Sequence, residues 1–308
     1  MINNFMVPTG LKDLTKDRIK EIVIGETAKI MAEKGVTEVE RILMSAGQSE
    51  TPVIHRFGPG LYIREVMLPA GCLVVGNEQL FEQQNMMLTG RITMISPEGT
   101  TELVAPASFV GPPGRKVGLI HENTYWLNIF PTDEQDVETL EYKYLYMTQE
   151  AEAEIYKDRM SRDTEADRED YESVLKEFNF VQSDVDVQVK YAWDITKLPY
   201  GAYKFMVSES PVHGKGVFAT CGISQGEIIG PARIDGRRTV CGRMTNHGIN
   251  PNAIFMEKDN GDLDMVAIRP IGGNLGGFHG EEIQIDYRQA LRLAQPYLRV
   301  QGQKKVKK

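Results

Sequence analysis

The decapeptide Arg243-Met244-Thr245-Asn246-His247-Gly248-Ile249-Asn250-Pro251-Asn252 decides how the C-terminal part of this 308-residue chain is read. It is too polar for a core strand, since buried polar groups are costly without partners. Yet it lies between strand-like runs, Gly222-Ile223-Ser224-Gln225-Gly226-Glu227-Ile228-Ile229 and Val266-Ala267-Ile268-Arg269-Pro270-Ile271. Upstream, Val212-His213-Gly214-Lys215-Gly216-Val217-Phe218-Ala219 carries a Gly-x-Gly, and glycine permits close backbone approach to a ligand. Downstream, Gly280-Glu281-Glu282-Ile283-Gln284-Ile285-Asp286-Tyr287 reads as a turn, a strand and a terminal phenol. Singly, each segment is an ordinary turn or strand. Their order is the signal.

In that order, and with the spacing intact inside each motif, the three segments resemble the SET-domain family of protein lysine methyltransferases. The family pattern is G-x-G-hydrophobic-aromatic-Ala, then R-x-x-N-H-x-x-x-P-N, then G-E-E-hydrophobic-x-hydrophobic-D-Y. The resemblance covers residues 200 to 290 and implies a β fold in which the NH..PN segment threads beneath the last strand as a pseudoknot. It implies S-adenosylmethionine as cofactor, its methionine part cradled by the backbone around Gly214, Lys215 and Gly216. Asn246 and His247 would hold the cofactor near its adenine and amino end, partly through main-chain groups. Tyr287 would be the catalytic phenol, and His247 a cofactor-site residue rather than a general base.

The chemistry suits those residue types. Methyl transfer from a sulfonium to an amine is an in-line displacement, so alignment supplies much of the rate. The lysine attacks as the neutral amine, which a dry channel favours. A phenol and nearby carbonyl oxygens orient it. No metal and no covalent nucleophile on the protein are required.

The sequence also departs from the family. Fifteen residues separate Glu227 from Arg243, where these enzymes carry a longer insert forming one wall of the substrate groove. Gly248 stands for the usual small hydroxyl residue and Ile249 for the usual Cys, and no cysteine cluster follows Tyr287. A zinc-bound cap is therefore not expected. Instead residues 288–298 look helical, with Leu291, Ala294 and Leu298 on one face, and a glycine-rich loop, residues 272–279, precedes Gly280. Either that loop, the upstream domain or a neighbouring subunit completes the groove, or there is none.

Between Pro52 and Tyr146 short strands alternate with turns, the rhythm of a small barrel. Leu61–Ile63, Cys72–Val75, Met86–Leu88, Arg91–Ile95 and Tyr125–Phe130 are strand-like, with Pro69-Ala70-Gly71, Thr89-Gly90 and Ser96–Gly99 as turns. The stretch from Pro69 to Gly90, then Pro112-Pro113-Gly114 with Asn128, resembles the two cupin motifs. Metal-binding cupins place His and Glu ligands there. Here Gln79 and Gln83 stand at such positions, and a neutral amide is a poor transition-metal ligand. With His121 as the lone nearby imidazole, the barrel reads as metal-free and suited to assembly or targeting.

The first 47 residues read as two helices. Thr15 caps the first and Gly35 stops it, and Thr37 with Glu40 forms a capping box for the second. The pair reads as a packing or oligomerisation arm. Residues 150–172 hold ten Asp/Glu against four Lys/Arg and read as two solvated polar helices behind Thr148 and Thr164, without chemistry. The last residues, with Lys304, Lys305, Lys307 and Lys308, read as a basic tail.

Composition bounds the rest. With 35 Lys+Arg against 43 Asp+Glu the net charge is −8, which argues against non-specific nucleic-acid binding. Cys72, Cys221 and Cys241 make no framework spacing, fitting a reducing compartment. No apolar run approaches the roughly 18–20 residues of a membrane span, and Met1–Gly10 lacks the features of a secretory signal. The expected fold is mainly β: a helical arm (1–50), a cupin-like barrel (51–147), an acidic helical linker (148–182), a SET-like domain (183–298) and the tail (299–308). The expected function is lysine N-methylation from S-adenosylmethionine; the alternative is a non-enzymatic virion or assembly protein on a SET scaffold. Expected partners are a substrate lysine or an assembly partner and further copies of the chain, in a cytoplasmic or, given the phage-like domain combination, virion setting.

Overall fold

The computed structural model describes residues 2–4, 15–190, 194–276 and 280–293. The basic tail, and residues 294–298 of the expected C-terminal helix, lie outside them. Strand outweighs helix, 40% against 30%, so the fold is mainly β as the alternation of strands and turns predicts. The described residues form two compact units: those within 1–158 with 200–204 and 273–280, and those within 159–199 with 205–272 and 281–293.

The first unit is built on a nine-stranded sheet, curled into a half-barrel. Val117–Pro131 is its spine, pairing antiparallel with Leu61–Leu68, Cys72–Val75 and Gln83–Ser96. Ile2–Asn4, expected within the helical arm, is instead a strand along Cys72–Val74. The expected turn at Thr89-Gly90 does not reverse the chain. Gln83–Ser96 is one strand of 14 residues, and the register slips around Thr89 and Arg91. Gly90 has φ +100°, and a Cβ there would sit 2.1 Å from Thr124 Oγ1, so the glycine makes a bulge rather than a hairpin.

Helices Lys16–Lys34 and Val36–Met44 occupy the predicted stretch, with Thr15 accepting the Arg18 N–H and Gly35 at φ +83° between them. Their apolar stripe is spent within the chain: Val23, Met31, Val39 and Leu43 share a core with Leu73, Val75, Ile95, Val117 and Leu119. The capping box is not made. Thr37 lies inside the second helix, whose cap is Gly35. Glu40, 3% exposed, turns to Arg115 Nη1 at 2.8 Å and accepts the Thr148 hydroxyl at 2.9 Å. A bidentate guanidinium outbids a backbone N–H for a buried carboxylate.

The second unit holds two four-stranded sheets. One runs Phe205–Glu209, Lys215–Ala219, Glu282–Ile285, Asn246–His247; the other runs Arg237–Arg238, Ile228–Ile234, Leu263–Ala267, Ala253–Glu257. The two expected polar helices are present as Gln149–Met160 and Glu165–Glu177, and a third, Gln182–Lys190, follows. Residues 287–293 are helical. Among the described residues, no helix is long and apolar enough to cross a membrane.

Candidate functional site

Glu282–Ile285 is the strand on which all three sequence motifs meet. Lys215–Ala219 pairs antiparallel on one side, Phe218 opposite Glu282. Asn246–His247 runs parallel on the other, opposite Gln284 and Ile285. Asn252 extends that contact: its Nδ2 donates to Glu282 O and its Oδ1 accepts the Gln284 N–H, both at 2.8 Å. A side-chain amide here does the work of a neighbouring strand.

Glu282 is buried and holds the motifs together. Its carboxylate accepts from Ser210 Oγ at 2.8 Å and from Asn246 Nδ2 at 2.8 Å. Burial pushes its pKa up, and these two donors pull the other way. Asn246 Nδ2 also lies 3.2 Å from both His213 O and Lys215 O, stapling the glycine turn to the strand. Gly214 takes φ +53°, with open space where a Cβ would project, and His213, Gly214 and Lys215 are exposed.

His247 is 2% exposed. Its Nδ1 accepts the Tyr287 N–H at 3.2 Å, so Nε2 carries the hydrogen and donates to Asp170 Oδ2 at 2.9 Å. Arg288 clamps Asp170 in a bidentate pair, 2.8 and 3.0 Å, and reaches Glu177 with its Nε. That guanidinium holds the Asp170 carboxyl below its usual range. Tyr287 donates its hydroxyl to Thr245 O at 2.9 Å; its ring lies 5.4 Å from His247 and edge-on to Tyr171 at 6.0 Å. Burial lifts the phenol pKa well above the usual value, so the hydroxyl keeps its proton at neutral pH. Gly248 is explained by Gln284, whose Oε1 lies 2.7 Å from the position of a Cβ at that site.

The structure therefore brings Gly214, Lys215, Gly216, Asn246, His247 and Tyr287 into one neighbourhood. It also adds residues that the sequence reading left without chemistry. Helix Glu165–Glu177 is no solvated face on this side. Asp167 accepts the Ile249 N–H at 2.9 Å and lies 3.3 Å from Gln284 Nε2. Arg168 donates to Pro211 O and, at 3.3 Å, to Val212 O. Thr164, rather than capping with its hydroxyl, donates it to Pro211 O at 3.1 Å. Asp167, Asp170, Tyr171, Val174 and Phe178 fall at helical spacing, a stripe concealed because two of its members are acids.

In the barrel-like unit, Gln79 Oε1 accepts from Lys116 Nζ at 3.3 Å. Gln83 is buried and donates to Asn85 Oδ1 at 3.3 Å, an oxygen that also takes Asn128 Nδ2 at 2.7 Å and Trp126 Nε1 at 3.2 Å. His121 Nε2 shares a hydrogen bond with Thr93 Oγ1 at 2.7 Å. Gln79, Gln83, Asn85 and Asn128 are neutral amides. Among the described residues no cluster of three or more His, Cys, Asp or Glu is placed to hold a metal.

No family profile and no curated protein matches this sequence. Solved structures similar to it include the cupin domain of Cnp3 from Schizosaccharomyces pombe, at 22% identity and TM-score 0.23 over 33% of this chain and 75% of that one. A cupin-2 domain protein from Shewanella frigidimarina is 14% identical, at TM-score 0.23 over 33% of this chain and 98% of its own. A cupin-superfamily protein from Desulfitobacterium hafniense is 12% identical, at TM-score 0.22 over 30% and 86%. These likenesses fall on the barrel-like part.

Proposed function

We propose that the second unit transfers a methyl group from S-adenosylmethionine to a lysine of a protein. One observation carries the reading. The Asn246 amide ties the Gly214–Gly216 turn to the Glu282 carboxylate, so three motifs far apart in sequence meet within one side chain's reach. The residues present suit the cofactor's amino-acid end: open space beside Gly214 and the exposed Lys215 ammonium, which attracts a carboxylate. When bound, the cofactor supplies an electrophilic methyl carbon on a sulfonium, open to in-line attack by a neutral amine.

The chain's own groups do the rest. Tyr287, protonated and fixed by Thr245 O, orients the neutral amine, and its oxygen lone pairs favour the positive charge that develops on that nitrogen as the C–N bond forms and the C–S bond breaks. His247 positions Tyr287 through the backbone N–H that its Nδ1 accepts. Asp170 and Arg288 fix the His247 tautomer in turn. The barrel-like unit serves assembly or targeting, with further copies of the chain or a substrate protein as partners.

A non-enzymatic scaffold is the second reading, favoured by the contacts of Asp167, Arg168 and Asp170 with the same loops. Calorimetric titration with S-adenosylhomocysteine, followed by transfer of labelled methyl to lysate proteins, separates the two. Stoichiometric binding with labelled lysine supports the enzyme. A protein that binds and labels nothing is the scaffold.

A further inference from the structure

Resting on that reading of the site, we infer that helix Glu165–Glu177 is a built-in closure, in which Asp167 and Arg168 take the place of the ligand's zwitterionic end.

An amino-acid end carries an ammonium and a carboxylate, and needs carbonyl oxygens for the first and N–H groups for the second. The two loops assigned to the cofactor offer both: Pro211 O and Val212 O before the glycine turn, and Ile249 N–H after His247. All three are engaged by neighbouring residues of one helix. The Arg168 guanidinium, a cation, takes the two carbonyls, and the Asp167 carboxylate, an anion, takes the N–H. Positive charge lies on the acceptors and negative charge on the donor, as a bound zwitterion would arrange them.

The helix is fastened at both ends of this contact. Thr164 donates to Pro211 O at its start. Asp170 and Glu177 hold Arg288, the residue after Tyr287, and Asp170 holds His247. These fastenings are only partly buried: Arg288, Asp170 and Glu177 have side-chain exposures of 23%, 21% and 49%. The lift that frees the loops is confined to the first turn, Thr164 to Arg168, while Asp170 and Glu177 stay on His247 and Arg288. Ligand and helix then compete for the same groups, and the apparent affinity falls by the fraction of molecules that are open. The helix is also negatively charged on its outer side, where Glu165, Glu169 and Glu172 are exposed.

The test is calorimetric titration of the full chain with S-adenosylhomocysteine, in the wild type and in Arg168→Ala and Asp167→Ala. Both substitutions sit at the edge of an existing helix and remove a competitor without touching Asn246, His247 or Tyr287. If closed molecules outnumber open ones by about ten to one, each variant binds up to about tenfold more tightly. Hydrogen exchange supplies a second readout: adding the ligand to the wild type should speed exchange of amides in residues 164–168. Wild-type binding with unchanged or weaker binding in the variants, and no change in exchange, overturns the closure and makes the helix a wall that helps hold the ligand. Binding by neither wild type nor variants overturns the cofactor reading itself, and the closure with it.

Discussion

Gly216 and Glu282 face each other so closely that a Cβ on Gly216 would lie 2.3 Å from Glu282 Oε1 and 3.0 Å from Ser210 Cβ. The carboxyl cannot step aside without leaving Ser210 and Asn246, both of which donate to it. Gly216→Ala should therefore destabilise the second unit by about 1–3 kcal/mol, the usual cost of overpacking a well-packed site. Gly214→Ala meets no atom within 4 Å and carries only the left-handed backbone cost, about 1–2 kcal/mol. Thermal unfolding of the two variants side by side checks the assignment; equal behaviour would mean that the Gly216 contact yields freely.

Glu282 and Asp170 should give opposite pH signatures. The Glu282 carboxyl titrates higher in the fold than its ordinary 4.5, so the folded protein holds that proton more tightly. Its stabilising contribution is full below about 4.5 and is lost as pH rises through the raised folded value. Asp170 titrates lower than its ordinary 3.8, so its contribution is present above that value and lost as pH falls through the folded one. Denaturant unfolding from pH 3 to 7 should find Glu282→Gln gaining on the wild type as pH rises, and Asp170→Asn losing on it. Parallel curves for wild type and Glu282→Gln would remove the buried-charge account.

Tyr287→Phe isolates the hydroxyl. If the phenol orients the substrate amine, methyl transfer should fall by one or more orders of magnitude while S-adenosylhomocysteine affinity barely moves, since losing one preorganised group costs roughly 2.7–4 kcal/mol in the transition state. The variant also leaves Thr245 O without this donor, so unfolding must be measured alongside and a stability loss of about 1–3 kcal/mol expected. Unchanged transfer would take Tyr287 out of the catalytic machinery.

Asn246→Ala should act on the fold before it acts on any ligand. Its amide serves His213 O, Lys215 O and Glu282, and removing it leaves a buried carboxylate short of a donor, at about 1–3 kcal/mol for each unsatisfied group. The expected result is a lowered unfolding temperature with faster proteolysis near residues 211–216. A fully stable variant with weakened ligand binding would instead make Asn246 a direct ligand contact.

Removing the two N-terminal helices should expose apolar surface rather than merely separate subunits. Val23, Met31, Val39 and Leu43 lie in one core with Leu73, Val75 and Val117, so deletion of residues 1–47 should produce an aggregating or dye-binding protein. A well-behaved deletion product of lower mass would support an oligomerisation arm instead. Elemental analysis is the companion measurement for the barrel-like unit, with no stoichiometric Zn, Fe, Mn or Ni expected at Gln79 and Gln83.

What could be read from sequence was local. Thr15, Gly35, the strand at Cys72–Val75 and the helices behind Thr148 and Thr164 follow from neighbours a few positions away. Asn246, His247 and Tyr287 stood out through the order of three motifs and their resemblance to the SET-domain pattern. Asp170 did not, because its partners His247 and Arg288 are 77 and 118 positions distant and its own helix is crowded with acids. Glu40 misled for the same reason: a capping box is a four-residue pattern, whereas Arg115 lies 75 positions on. Thr89-Gly90 has the composition of a turn, and only pairing with Val117–Pro131 makes it a bulge.

The pivot at Glu282 also sets an order of events. Ser210 and Asn246, which donate to its carboxylate, precede it by 72 and 36 positions, and Asn252, which pairs with its backbone, by 30. During synthesis these groups emerge and wait in water until residues 281–288 arrive. Contacts of such sequence separation slow folding, since loop-closure entropy is spent before they form. The site is thus among the last parts of the second unit to assemble, and a ribosome-bound chain lacking the final strand has the sheets' halves but no centre.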